Sequence, residues 1–415
     1  MRQLTLAVSL ILSGSPAIAG EAPAHVGAAE FRADIAYVRA MIARMHPDPG
    51  FSTDPLAMHL ALDRMANDLP ATLTRDDAWR RLASLNGLLA DGHFFIGFPY
   101  WRGETRRWLA GGGTLFPVEV SVGADGALYL DAGTGPAQQE RIVSVNDVPA
   151  GLLVSQLASL AHGDTALFRA NLLGRRWSFY YWKVFGAPER YRLVLEKHGA
   201  RRTVDVPGRV TLPRVLEDEA RRAYDFSIGP DGVAVLTVDS FSLADPAPFQ
   251  AFTRAAFARM RAQGVTRLVI DISNNGGGDD AIWLDGLMPY LASRPYRTGS
   301  TFHGLTRPQP NVQPKPMQGE IATWRQPQGD NPLRFDGETA VRIGPGTYSS
   351  AVLFANVMRD FQFATLVGAG GAARRTQSGG VRDVMLPHTG LTMTLPRFIL
   401  DPPAGRSPDA LLDAD

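Results

Sequence analysis

"RLVIDISNNGGGDDAIWLDGLMPYLA" (267–292) decides how the second half of the chain folds. Its opening six residues are a near-continuous apolar run, the pattern of a strand buried on both faces rather than one. Gly276, Gly277 and Gly278 follow at the carboxyl end of that strand, and a helical pattern begins at Asp280. Three successive glycines admit backbone conformations closed to other residues and let a ligand approach the main chain closely. Their N–H groups, next to a helix start, suit an anion or a developing oxyanion. A simple turn is the competing reading. Neither GxGxxG nor GxxxxGK[ST] occurs, so dinucleotide and P-loop chemistry are not indicated.

Outward from this stretch, strand and helix alternate. "VAVLTVDSF" (233–241) reads as a strand and "PAPFQAFTRAAFARMRAQG" (246–264) as a helix closed by Gly264. "TAVRIG" (339–344) reads as a further strand, leading through "PGTYSS" into a helix that ends at Asp360. "FATLVGAG" (363–370) and two runs near 381–386 and 391–396 read as strands. Such alternation predicts an α/β fold with a mixed or parallel sheet. "RPQPNVQPKPMQ" (307–318) is too rich in proline for regular structure and reads as an exposed loop. Ser349 and Ser350 sit where the strand gives way to the helix. Serine there is either an N-cap or a nucleophile presented on the turn.

The first half differs. "FRADIAYVRAMIARM" (31–45), a segment around 54–67 and one from Thr74 or Asp76 to Ala90 have helical spacing, with breaks at Pro47 and Pro49. Short alternating runs punctuated by Gly, Asp and Pro fill 115–147 and recur over 191–240, and read as strands and tight turns. "LGRRWSFYYWKVFG" (173–186) is either a packed helix or the lining of a substrate groove. At the start, Arg2, the apolar "LTLAVSLIL" (4–12) and Ala17-Ile18-Ala19 have the form of an export leader cut after Ala19. The apolar run is shorter than the ~20 residues of a membrane span, so no span is expected in the mature chain.

Composition narrows the chemistry. The 415 residues are 45% hydrophobic and 20% charged, with a formal net charge of +1. The basic residues are dispersed, which does not suggest nucleic acid. Cysteine is absent, which removes disulfides and thiolate metal sites, and neither HExxH nor a tight His/Asp/Glu cluster appears. No metal or cofactor is therefore expected. Only Lys183, Lys197 and Lys315 supply lysine, and arginine cannot act as a base near neutral pH. His93, in "LLADGHFFIGFPYW", sits at a helix-to-strand turn with Asp91 two residues before it. It is either a packed histidine or a base.

"DGH" after three helices, "VIDISNNGGG" after a strand and "GTYSSAVLFA" before a helix, in that order, resemble the C-terminal-processing and tricorn-like serine peptidases. Asp271, Asn275, Gly277 and Gly278 match the family's DLRxNxGG pattern, with Ser273 at the usual arginine. "RIVSVNDVPA" resembles a degenerate form of its PDZ-type segment. The likeness spans about residues 30–410. It implies a ClpP/crotonase-type core of ββα units at 220–410, a helical domain at 29–100, a PDZ-like β-rich segment at 112–210, and a leader at 1–19.

The same resemblance places the nucleophile at Ser349 and the oxyanion donors on the backbone of Ser350, Gly276 and Gly277. Where the processing branch carries a lysine base this chain has Arg374, whereas the tricorn-like branch uses a histidine at the position of His93. A Ser349–His93 pair is the resulting expectation, with Asp91 or Asp383 as the orienting acid. The substrate is then a peptide or protein. The family's GExTGG is altered to "GAGGAA", with Ala369 at the acid. That change leaves a second expectation: an inactive relative that binds a peptide or apolar ligand.

Overall fold

The computed structural model describes residues 24–131, 140–218, 223–306, 314–407 and 409–415; the leader segment lies outside them. The second half is built on a five-stranded sheet of Tyr224–Ile228 (β1), Val233–Val238 (β2), Arg267–Asp271 (β3), Glu338–Ile343 (β4) and Thr365–Gly368 (β5), in that spatial order. β1 runs antiparallel to β2, and the other neighbours are parallel. The apolar strands call for cover on both faces. Helices Ala247–Ala262 (α1), Asp280–Gly286 (α2) and Ser350–Asp360 (α3) provide much of it, burying Phe249, Phe257, Trp283 and Phe354 in one cluster with Leu236, Ile270 and Val341. The mixed α/β fold expected from the alternation is the fold observed.

Two local expectations change. The helix read over 280–292 is broken, because Leu287 leaves the first helical segment and Pro289 opens a second, Met288–Leu291. The proline-rich loop is also shorter than expected. Pro316–Glu320 forms an edge strand on Thr301–Leu305. Pro316 is its first residue, a place where a missing N–H is tolerated. Residues 307–313 lie outside the description.

In the first half, helices Ala28–Met45, Pro55–Asn67 and Arg75–Ala83 pack with an antiparallel sheet whose longest strands are Arg190–Lys197 and Ala200–Pro207. Both segments feed one hydrophobic cluster, which runs from Phe31 and Trp79 to Tyr191 and Leu193. The aromatic stretch at 173–186 becomes the helix Trp177–Phe185, with Trp177, Phe179, Tyr180 and Tyr181 buried in that cluster. It packs the core and does not line a groove. Leu391, Met393 and Leu395 from the far end of the chain join the same cluster, and the short strand Phe95–Gly97 pairs with Thr392–Leu395. The segment just after "DGH" is thereby fastened to a strand from the C-terminal end of the chain, within the first cluster.

Candidate active site

Asn275 organises the turn after β3. Its Nδ2 donates to Val238 O at the end of β2, its Oδ1 accepts Gly277 N–H, and its carbonyl accepts Tyr348 N–H. A fully buried side chain thus ties two strand ends to the segment that enters α3. Gly277, at φ +98°, lies so close to that segment that a Cβ would fall 2.7 Å from Ser349 Cβ. Gly278, at φ +144°, is pressed on Phe241, where a Cβ would sit 2.1 Å from the carbonyl carbon. These two positions require glycine for space and for backbone angle.

Ser349 stands at φ 55° and ψ −126°, where a non-glycine residue is uncommon. Its hydroxyl makes no capping bond to α3, so the N-cap reading fails for this side chain. Instead His93 Nε2 lies 3.1 Å from Ser349 Oγ. Ser350 is the first residue of α3 and is buried. Its Oγ accepts from Trp283 Nε1 at 3.0 Å and donates to Asp280, which commits that hydroxyl to the wall.

The imidazole is held on its other side as well. Nδ1 is 3.2 Å from Ser378 Oγ, and Ser378 donates to Asp91 Oδ1 at 2.7 Å, which also accepts His93 N–H at 2.7 Å. Asp91 therefore reaches the ring only through Ser378. Asp383 is elsewhere, accepting from Thr394 on its own hairpin. Burial lowers the His93 pKa to about 4, with the Asp164 charge acting in the opposite sense. The ring is neutral at pH 7, and in the tautomer with its hydrogen on Nδ1 its Nε2 is a proton acceptor facing Ser349.

Asp164 was not anticipated. It accepts Tyr348 O–H at 2.6 Å, Gly92 N–H at 3.1 Å and Arg374 N–H at 2.9 Å, with the Arg374 guanidinium 3.8 Å away. Arg374 also donates to Ala90 O, so it anchors the histidine loop where a lysine base was considered. Burial raises the pKa of both Asp91 and Asp164, with Arg374 and the hydrogen bonds opposing. "GDTALF" looks like an ordinary helix start, and Thr165 does cap one, which masks Asp164. Ser378 in "TQSGG" has no local signal beyond the glycines after it.

A small cavity opens at Ser349, walled by Gly278, Asp280, Leu353, Gln377, Gly380 and Phe398. Ser350 N–H has no acceptor among the described residues, while Gly277 N–H is taken by Asn275. Gly276 is not in the wall, whereas Gly278 is, and in the pairing with Phe241 the flanking Gly277 O and Asp279 N point to that neighbour. The Gly278 N–H thus points the other way. Of the donors expected from sequence, Ser350 N–H and Gly276 N–H have no acceptor among the described residues and Gly277 N–H is engaged, while on the glycine turn it is Gly278 that lines the cavity. Among the described residues no cluster of three metal-ligating side chains occurs, and no helix is long and apolar enough to cross a membrane.

Residues 232–406 match the profile of Peptidase family S41. Among solved structures, a mutant of CPAF aligns with a TM-score of 0.65 at 15% identity, covering 93% of this chain and 92% of that one. Mature CPAF aligns at 0.60 with 15% identity over 91% and 90% of the two chains. Its complex with lactacystin aligns at 0.59 with 15% identity over 92% and 93%. These likenesses extend the shared fold over nearly the whole chain. Comparison with curated proteins finds no match.

Proposed function

We propose that the chain is a serine peptidase of the C-terminal-processing group that cleaves peptide bonds by a Ser349–His93 mechanism, a reading supported by the match of residues 232–406 to Peptidase family S41. The observation that carries this reading is the 3.1 Å approach of His93 Nε2 to a serine on a strained turn. Neutral His93 takes the Ser349 proton as Oγ attacks the carbonyl carbon of the substrate. The N–H groups of Ser350 and Gly278 hold the oxyanion that forms. The imidazolium then returns the proton to the leaving amine, and water, activated by the same ring, releases the acyl group. The protonated state is the costly one in this buried setting, and the Asp164 charge offsets part of that cost. Arg374, paired with Asp164, has no part as a base.

Labelling with a fluorophosphonate probe tests the pair. Wild-type protein and Ser350→Ala should label, whereas Ser349→Ala should not, and His93→Ala should label at least ~10²-fold more slowly. An inert wild type would instead favour a binding protein with the same fold. Export is part of the proposal, on the strength of residues 1–19; intact-mass analysis of the cell-envelope fraction should find Gly20 as the first residue.

A further inference from the structure

We propose that Asp280 determines specificity at Ser349: the cavity beside the nucleophile takes the side chain on the acyl side of the scissile bond, and admits serine in preference to alanine and to anything larger. This rests on the Ser349–His93 reading and names the class of peptide that such a site would cut.

The leaving amine takes its proton from His93 Nε2, so the amine side of the bond lies against the imidazole. His93 does not wall the cavity, whereas Gly278, Ser349 and Ser350 do. The cavity therefore lies on the side of the nucleophile away from the ring, where the residue that supplies the carbonyl directs its side chain. It holds about 50 Å³. An engineered cavity that takes one benzene is roughly 150 Å³. A methyl or hydroxymethyl group fits, and a branched, aromatic or long basic side chain does not. Phe398 closes the back. A Cβ at Gly380 would fall 2.3 Å from its ring and one at Gly379 2.9 Å, so the ring has no room to withdraw toward that strand.

The wall also sets the chemistry of the group that enters. Leu353, Phe398 and Leu400 make part of it apolar, Asp279 and Asp280 bring carboxylates, and no arginine, lysine or histidine lines it. Asp279 is engaged as the cap of α2, accepting Ala281 N–H. Asp280 accepts the Ser350 hydroxyl, and Trp283 Nε1, which donates to Ser350 Oγ, also lies against this carboxylate. A carboxylate has about four acceptor positions, so both contacts together leave room for a further donor. Burial raises the Asp280 pKa, with the Ser350 and Trp283 hydrogen bonds opposing. A hydroxyl suits such a group better than an ammonium, because it can donate to the ionised form or accept from the protonated one. Serine is the residue that brings a hydroxyl within the volume. Against the methyl of alanine the carboxyl would lose water and gain no partner.

The test digests a peptide mixture of randomised sequence with the full chain and identifies the new termini by mass spectrometry, so that all residues compete in one digest. Corrected for abundance, wild type should cut after serine at least about tenfold more often than after alanine. Cuts after leucine, phenylalanine or lysine should be about 10²-fold rarer than after serine. Asp280→Ala should bring serine and alanine within about twofold of each other, a ratio internal to each digest and independent of the overall rate. Phe398→Ala should admit valine and leucine while keeping serine above alanine. Circular dichroism identifies any variant that does not fold, and the wild-type ratios decide the matter without it. A wild type that labels with the fluorophosphonate probe but cuts nothing in the mixture, or cuts with no serine preference, would overturn the role of Asp280 and leave the Ser349–His93 pair standing. So would a folded Asp280→Ala protein that keeps the preference. A wild type inert to both probe and mixture would overturn the pair, and this assignment with it.

Discussion

A serine held at φ 55° and ψ −126° stores on the order of 1–3 kcal/mol of backbone strain. Nothing in the helix recovers that cost, because the side chain does not cap. Ser349→Gly should therefore raise stability by about 1 kcal/mol while abolishing probe labelling; chemical denaturation of both proteins checks the first half. His93 makes a second expectation at this scale. With its pKa lowered to about 4 by burial, the ring remains a base through mildly acidic solution. The rate should be flat from about pH 6 to 8 and fall tenfold per unit below about 4, measured with the same probe. His93 and Ser349 were legible in the sequence because each sits in a short motif whose order along the chain is informative. Ser378 and Asp164 were not, since their meaning lies in contacts with residues more than 180 positions away.

At the scale of elements, the turn before α3 is clamped to the histidine loop by one phenol. Tyr348 O–H donates to Asp164, and the same oxygen accepts Gly92 N–H at 2.9 Å. A Cβ at Gly92 would fall 2.5 Å from the Tyr348 ring, which explains the glycine of "DGH" by space alone. Tyr348→Phe leaves Gly92 N–H with only its Asp164 contact and removes a donor from Asp164. It should cost about 1–3 kcal/mol in a urea melt and lower the labelling rate at least tenfold, since His93 is carried on that loop. The strands and helices of the central sheet were readable from apolar runs and glycine punctuation. The edge strand Pro316–Glu320 was not, because its composition signals a loop and only pairing with Thr301–Leu305 overrides it. The Trp177–Phe185 helix shows the converse: its aromatic content could be read either way until burial against the first core resolved it.

Across the whole molecule two hydrophobic cores meet, one assembled around the helical and antiparallel part, the other around the five-stranded sheet. The first buries His46 against Phe94, with Nδ1 accepting Asp48 N–H and burial lowering the pKa to about 3. An unfolded histidine binds a proton near pH 6.5, whereas this one does not until about pH 3, so the contribution of His46 to stability falls with pH between those values. Between pH 7 and 5 the loss is about 2 kcal/mol. In His46→Asn the pH-dependent part of the denaturation midpoint should shrink accordingly. Which segments share a core was hidden from sequence reading, because residues 384–395 join a cluster whose other members end near residue 206.

The 256 positions separating His93 from Ser349 have one more effect. The imidazole is fixed by packing that involves the first core and the strand Thr392–Leu395, whereas the serine turn is fixed by Asn275 and the glycine turn of the second core. Neither core alone brings the two atoms within reach. A chain still emerging during synthesis, or one that has lost the seam between its cores, holds a hydroxyl with no base beside it. On the proposed Ser349–His93 mechanism, such a chain cannot cut its own unfolded segments or those of its neighbours, and hydrolytic competence would arrive only when folding is complete.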